Sequence, residues 1–234
     1  MLELRNITGG YGDTVVLRDV TISVPRGSVI ALLGPNGAGK TTTLRMASGL
    51  LRPKQGEIFF DGNDISKQPP FQRTRRGICL IPEGRGIFPS LTVRENLMLH
   101  TEKRRQHQAF ERAVDTFPIL GKRRGQVAGT LSGGEQQMLA LVRAYVSNPK
   151  VVLVDEASLG LAPLVVDALF KFIERIASEG VSLLLVEQYI TKALDLASGV
   201  YLINQGQIVH SGPAKDLDEA QVFALYTGTT SSAT

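Results

Sequence analysis

Residues 29–41 read Val-Ile-Ala-Leu-Leu-Gly-Pro-Asn-Gly-Ala-Gly-Lys-Thr, and no other segment restricts the fold as much. The unbroken aliphatic run predicts a strand buried on both faces, as in a parallel sheet covered by helices. The glycine-rich loop after it closes on Lys40 and Thr41, ahead of a helix through Leu44, with P-loop spacing. Gly34, Gly37 and Gly39 let backbone N–H groups turn inward around phosphate oxygens, with Pro35, Asn36 and Ala38 completing the cradle. The helix that starts near Lys40 adds its positive end. Lys40 supplies an ammonium for the β- and γ-phosphates, Thr41 offers a hydroxyl to Mg²⁺, and Thr42 follows in the same turn.

Short aliphatic runs alternate with longer amphipathic stretches elsewhere, which is the pattern of an α/β fold. The runs predict strands at Leu2–Thr8, Val15–Val24, Ser28–Leu33, Glu57–Phe60, Gly77–Ile81, Val151–Val154, Ser182–Val186, Val200–Ile203 and Gln207–His210. Those around Ile30, Val152 and Leu184 are nearly all apolar. The early ones alternate, and the turns Asp61-Gly62 and Gln205-Gly206 predict antiparallel hairpins at an edge. Between Ser90 and Thr130 the strand signal stops. Thr92-Val-Arg-Glu95 has capping-box spacing, and Pro118 and Gly121 are expected to break this polar helical stretch into pieces. The whole, residues 1–234, reads as one domain, with a helical subdomain at about 90–148 inserted into the α/β body; the residues from Thr227 on read as a frayed tail.

Composition excludes several classes. With 43% hydrophobic and 21% charged residues, the 234-residue chain has material for a sizeable core and too little charge for disorder. The formal charge of +4 permits contact with anionic lipid or nucleic acid without arguing for either. The single cysteine, Cys79, excludes an internal disulfide and reads as a small core residue in a reducing compartment. Glu3 and Arg5 interrupt any signal-peptide run, and the charge-free stretch 196–214 would place Asn204, Gln205, Gln207 and His210 in hydrocarbon. A soluble, cytoplasmic chain is expected, reaching a membrane only through a partner.

Two further segments carry chemistry. Val151-Val-Leu-Val-Asp155-Glu156 puts two acids at the end of a buried strand, where Asp155 can hold Mg²⁺ through its water shell and Glu156 can deprotonate an attacking water. Ser132-Gly133-Gly134-Glu135 is another capping box. Capping does not require two glycines in the first helical turn, where they disfavour the helix. They make sense if that N-terminus approaches something bulky and anionic, giving a second phosphate-binding surface.

Taken in order, these motifs resemble the ATP-binding subunit of an ABC transporter over residues 2–226. The resemblance implies a P-loop NTPase of ABC type, with a mainly parallel core sheet, an antiparallel β subdomain and the inserted helical subdomain. It implies that two such subunits pair head to tail, each ATP held between the P-loop of one and the Ser132–Glu135 helix of the other. Tyr11 matches the aromatic that stacks on adenine, and Ser158-Leu-Gly-Leu-Ala162 the loop that touches the opposite site. Glu156 would be the general base, Lys40 the charge stabiliser, and Thr41 and Asp155 the Mg²⁺ ligands. Two positions depart from the general family pattern. Glu83 stands where most members have Gln, as a further Mg²⁺ ligand, and Gln188 stands where most have His. Gln188 can donate a hydrogen bond to the γ-phosphate but cannot shuttle a proton. His100, His107 and His210 lie in the wrong segments to substitute.

The departures, with Ser-Leu-Gly-Leu-Ala-Pro at 158–163 and Leu-Val-Glu-Gln at 185–188, are similar to one of the two ATPase subunits of branched-chain amino acid importers. That subfamily usually has Pro where this chain has Ala157. The resemblance implies a second, different ATPase subunit, two integral membrane permeases and an extracytoplasmic binding protein, with this chain peripheral on the inner face of the membrane. Importers of urea or short-chain amides are close relatives. An ABC ATPase acting on nucleic acid is disfavoured: the stretch between Lys40 and Ser132 has no heptads of a long coiled coil, and there is one ATPase domain rather than two.

Overall fold

The computed structural model describes residues 1–84, 86–99, 101, 104 and 106–227. Among them, ten strands form two sheets. The first is antiparallel: β1 (Leu2–Tyr11), β2 (Thr14–Val24), β4 (Gln55–Phe60) and the two-residue β5 (Asn63–Asp64), in the order β2-β1-β4-β5. The second has β3 (Val29–Leu33) at its centre, in the order β10-β9-β3-β8-β7-β6. Its members are β6 (Ile78–Ile81), β7 (Val151–Asp155), β8 (Ser182–Val186), β9 (Gly199–Asn204) and β10 (Gln207–Pro213). β9, β3, β8, β7 and β6 run parallel; only β10 is antiparallel, to β9.

β3 is buried along its whole length because it serves two cores. Val29, Ala31 and Leu33 face a core shared with α6 (Gly133–Val146) and α7 (Pro163–Ser178), where Tyr145 meets Phe172 edge-on at 5.5 Å. Ile30 and Leu32 face the other way, into a core shared with α1 (Lys40–Ser48) and the antiparallel sheet through Leu2, Leu4, Ile22 and Phe60. The period-2 alternation of side chains thus fastens one central strand to both layers. α1 lies between the two sheets, and its first residue is the P-loop lysine.

The expected hairpins form, β4–β5 across Asp61-Gly62 and β9–β10 across Gln205-Gly206. After α2 (Pro70–Arg76) and β6 come α3 (Val93–Met98), α4 (Gln106–Thr116), α5 (Pro118–Lys122) and α6. Thr92 and Glu95 form a complete capping box on α3. Pro118 separates α4 from α5 as expected, at the first position of α5, but Gly121 lies inside α5 rather than ending it. A glycine in a five-residue helix is tolerated here because a Cβ would strike Val114, so the close approach of α5 to α4 requires its absence. α8 (Ile190–Leu196) and α9 (Glu219–Thr227) complete the order. The expected tail beyond Thr227, and His100, Lys103 and Arg105, lie outside the described residues.

One buried cation was not anticipated. Arg73 of α2 is wholly buried, and its guanidinium donates to the carbonyls of Met46 (2.7 Å), Ala47 (2.9 Å), Ser66 (3.0 Å) and Gln68 (3.0 Å). Met46 and Ala47 lie in the last turn of α1, where carbonyls run short of i+4 helical donors and the helix dipole favours a cation. Burial lowers the pKa of Arg73 to about 10, so it stays charged at neutral pH.

Candidate functional site

The loop 34–39 leaves the carboxyl end of β3, where parallel α/β sheets place ligands. Gly37 (φ 79°) and Gly39 (φ 111°) adopt left-handed backbone that L side chains rarely take. A Cβ on Gly37 would point into open space, and one on Gly39 would strike Leu17. The far side of the loop is braced by the β9–β10 turn: Gly206 N–H donates to Ala38 O (2.9 Å), and Gly206 O accepts from Arg18 N–H (2.8 Å). A side chain on Gly206 would clash with the Val16 carbonyl.

The loop opens onto a cavity of about 550 Å³ lined by Asn36, Gly37, Gly39, Lys40, Thr41 and Thr42 on one side, and by Glu83, Glu156, Gln188, Val16 and Leu159 on the others. Gly34, Pro35 and Ala38 do not line it, against the sequence expectation. Gly34 packs against Ile203 and Ala38 is buried, so these residues shape the loop from behind; Pro35 is exposed, and its carbonyl accepts from Lys40. Tyr11 does not line it either; it is half-exposed at the end of β1, and its hydroxyl accepts from Arg45, one turn beyond Thr41 on α1 (2.9 Å).

Lys40 is buried, donating to the carbonyls of Gly34 (2.7 Å) and Pro35 (3.1 Å), with Nζ 3.6 Å from Glu156 Oε1. Gln188 Nε2 donates to Glu156 Oε2 at 3.0 Å, so one carboxylate is shared by the ammonium and the amide. Glu156 itself sits at φ 46°, unusual for a residue other than glycine. Its N–H donates to Val186 O (2.9 Å), the last bond before β7 and β8 diverge. Beside this pair, Thr41 Oγ1 donates to Asp155 Oδ1 at 3.0 Å. Burial raises the Asp155 pKa, and the charges of Glu156 and Glu83 add to the rise, against the Thr41 bond that lowers it.

These side chains suit a triphosphate with a divalent cation. The open Gly37 cradle, a nine-residue helix starting at Lys40 and a buried ammonium form an anion site. Two carboxylates, Glu83 and Glu156, line it and Asp155 is buried beside Thr41, yet among the described residues no three acidic, histidine or cysteine side chains converge closely enough to hold an ion by themselves. The donor set of Thr41, Asp155 and Glu83 therefore fits a cation whose shell is completed by water and phosphate oxygens.

Ser132 caps α6, its hydroxyl accepting from Glu135 N–H at 3.3 Å while Glu135 Oε2 accepts from Ser132 N–H at 2.8 Å. Those hydrogen bonds hold the Glu135 carboxyl below its ordinary range. None of Ser132–Glu135 lines the cavity. A Cβ on Gly134 would strike Val165, so that glycine has a packing reason within the chain, and the argument for close approach by an anion falls to Gly133.

The match to known families is decisive for this set of features. Residues 17–159 match the ABC transporter family model. The chain belongs to the ABC transporter family. It is 40% identical over 232 residues to the high-affinity branched-chain amino acid transport ATP-binding protein BraG of Pseudomonas aeruginosa, covering 97% of this chain and 100% of BraG. It is 36% identical to the lipopolysaccharide export system ATP-binding protein LptB of Haemophilus influenzae, over 97% of each. Among solved structures, an ATP-binding subunit of an ABC transporter superposes with a TM-score of 0.86 at 29% identity, covering 98% of this chain and 99% of that one. This ABC ATPase therefore has the fold its motifs implied. No described helix is long and apolar enough to cross a membrane.

The roles of three residues escaped the sequence reading. Val16 lines the cavity without any motif to mark it, and Leu159, in the loop read as touching the opposite site, lines the cavity of its own chain. Glu187, read only as the neighbour of Gln188, is buried beside Ser158 and accepts a hydrogen bond from its hydroxyl. Burial raises its pKa to about 7, against the lowering effect of that bond and of the Gln188 and Ser158 amides.

Proposed function

We propose that this ABC ATPase is the ATP-hydrolysing, energy-coupling subunit of an importer for branched-chain, hydrophobic amino acids. The observation that carries the substrate class is the 40% identity to BraG over that protein's whole length. The site supports the chemistry. Lys40 leaves its loop carbonyls and Glu156 to neutralise the β- and γ-phosphates. Glu156 takes the proton of the attacking water, and Gln188, already within hydrogen-bond reach of Glu156, orients the γ-phosphate as a donor. Thr41, Asp155 and Glu83 are the side chains for Mg²⁺, which when bound neutralises phosphate charge. Asn36, Gly37, Gly39 and Thr42 hold the phosphates, and Tyr11 swings from Arg45 to the adenine.

Because Ser132–Glu135 lie away from the cavity, a second ATPase subunit supplies them, and this chain supplies its own in return. The inserted segment at about 90–148 forms the docking element for the two permease subunits. A groove of about 630 Å³, lined by Leu50, Cys79, Leu80, Ala140 and Arg143, lies between it and the α/β body. An extracytoplasmic binding protein completes the system, with this chain peripheral on the inner membrane face. No nucleic-acid partner is needed to account for any of these surfaces.

The likeness to LptB supports a second reading, an export ATPase for lipopolysaccharide. Isolation of the tagged full-length chain from membranes, followed by ATPase assays in proteoliposomes, separates the two. Co-purification with two permeases and stimulation by a leucine-loaded binding protein is expected. Co-purification with lipopolysaccharide-export components instead would overturn the importer assignment.

A further inference from the structure

We infer that Glu187 is a positioning residue for hydrolysis, its buried carboxyl holding the loop that begins at Glu156 against the strand end that presents Gln188. The inference rests on the proposed role of Glu156 as general base. β7 and β8 are paired as far as Asp155 and Val186, and the Glu156 N–H to Val186 O bond is the last rung. Beyond it one chain turns through Glu156 at φ 46° into residues 157–162, and the other continues as Glu187-Gln188-Tyr189. Only side chains can then hold the two segments together. Gln188 to Glu156 is one such tie, and it is given up when Gln188 turns to a phosphate.

Ser158 to Glu187 is the other, and both of its residues are buried, at 1% and 3% exposure. The tie lies behind the cavity, whose lining includes neither residue, so it persists whatever Gln188 does. Glu187 is an expensive choice for such a place. Among the described residues, its Oε1 has no hydrogen-bond partner and no cation is paired with it. An apolar side chain would suit the burial better, which leaves the interactions with Ser158 and with the Gln188 amide as what the carboxyl provides, the Ser158 hydroxyl bond being the one that side-chain substitution can remove. Left-handed backbone at a bulky residue persists only where its surroundings over-determine it. The Ser158 tie, two residues past Glu156, is placed to do that.

Full-length protein carrying Glu187→Leu, Glu187→Gln, Ser158→Ala or the Leu/Ala pair tests the idea, with nucleotide titration, steady-state ATPase and thermal unfolding measured on each. Glu187→Leu and Ser158→Ala are each expected to lower kcat about ten-fold with KM for ATP changed less than about two-fold. The pair should be no worse than either alone, and Glu187→Gln, which keeps an acceptor, should recover most of the rate. Ser158→Ala keeps the test valid should Glu187→Leu fail to fold. Full kcat in Ser158→Ala, or additive losses in the pair, would overturn the inference. Glu156→Gln run in parallel separates the two claims: if it still turns over, the general-base assignment fails; if it is dead while Ser158→Ala is normal, only the role of Glu187 fails.

Discussion

Replacing Arg73 with Met keeps most of the side chain's length and removes every donor it has. Four bonds to carbonyls are lost, at 2.7 to 3.0 Å, from α1 and from the segment between β5 and α2. Taking about 1.5 kcal/mol for each bond to a charged donor, the lower end of the range, the set contributes about 6 kcal/mol. Burying the guanidinium, whose pKa it lowers to about 10, offsets a substantial part of that. We expect a net loss of about 3 kcal/mol, comparable to breaking a buried ionic contact. With a urea slope near 3 kcal/mol/M for a chain of this size, the unfolding midpoint should fall by about 1 M. Arg73→Lys should recover less than half, because one ammonium cannot reach carbonyls spread over two segments. A midpoint within about 0.2 M of the parent for Arg73→Met, or full rescue by lysine, would refute the reasoning.

Other outcomes follow from the site. Glu156→Gln should lower ATP turnover by about 10²- to 10⁴-fold while leaving ATP binding near its parent value, read by fluorescent-nucleotide titration. Gln188→His should add a titrating step to the ATPase pH profile between about pH 6 and 7; an unchanged profile would show that position 188 does not touch the reacting phosphate. Because the Glu187 carboxyl is raised from 4.5 to about 7, its contribution to stability is full below about pH 4.5 and lost as pH rises through 7. Glu187→Gln lacks that loss. Its unfolding free energy relative to the parent should therefore climb between pH 5 and 8 by up to about 3 kcal/mol, about 1 M in urea midpoint, with Glu156 nearby adding to the effect.

Much of this was legible in the residues. The aliphatic runs mark their strands because parallel strands covered on both faces tolerate little else, and β5 was missed because two residues, Asn63 and Asp64, carry no periodicity. Capping boxes at Thr92 and Ser132 were readable because their chemistry is local. Arg73 was not, since in sequence it is one of three arginines within four residues, and only tertiary packing separates it from exposed Arg75 and Arg76. The same holds for Glu187. Nothing in Leu-Val-Glu-Gln says that the glutamate faces Ser158, 29 positions away. Gly134 misled in the other direction, because a glycine needed by Val165 looks identical to one needed by a ligand.

The bracing of residues 34–39 by the Gln205-Gly206 turn has an energetic corollary. A loop already clamped from behind gives up little disorder when an anion arrives. The free energy of capture is then not consumed in stiffening the receptor and stays available for movement elsewhere, such as drawing two protein bodies together.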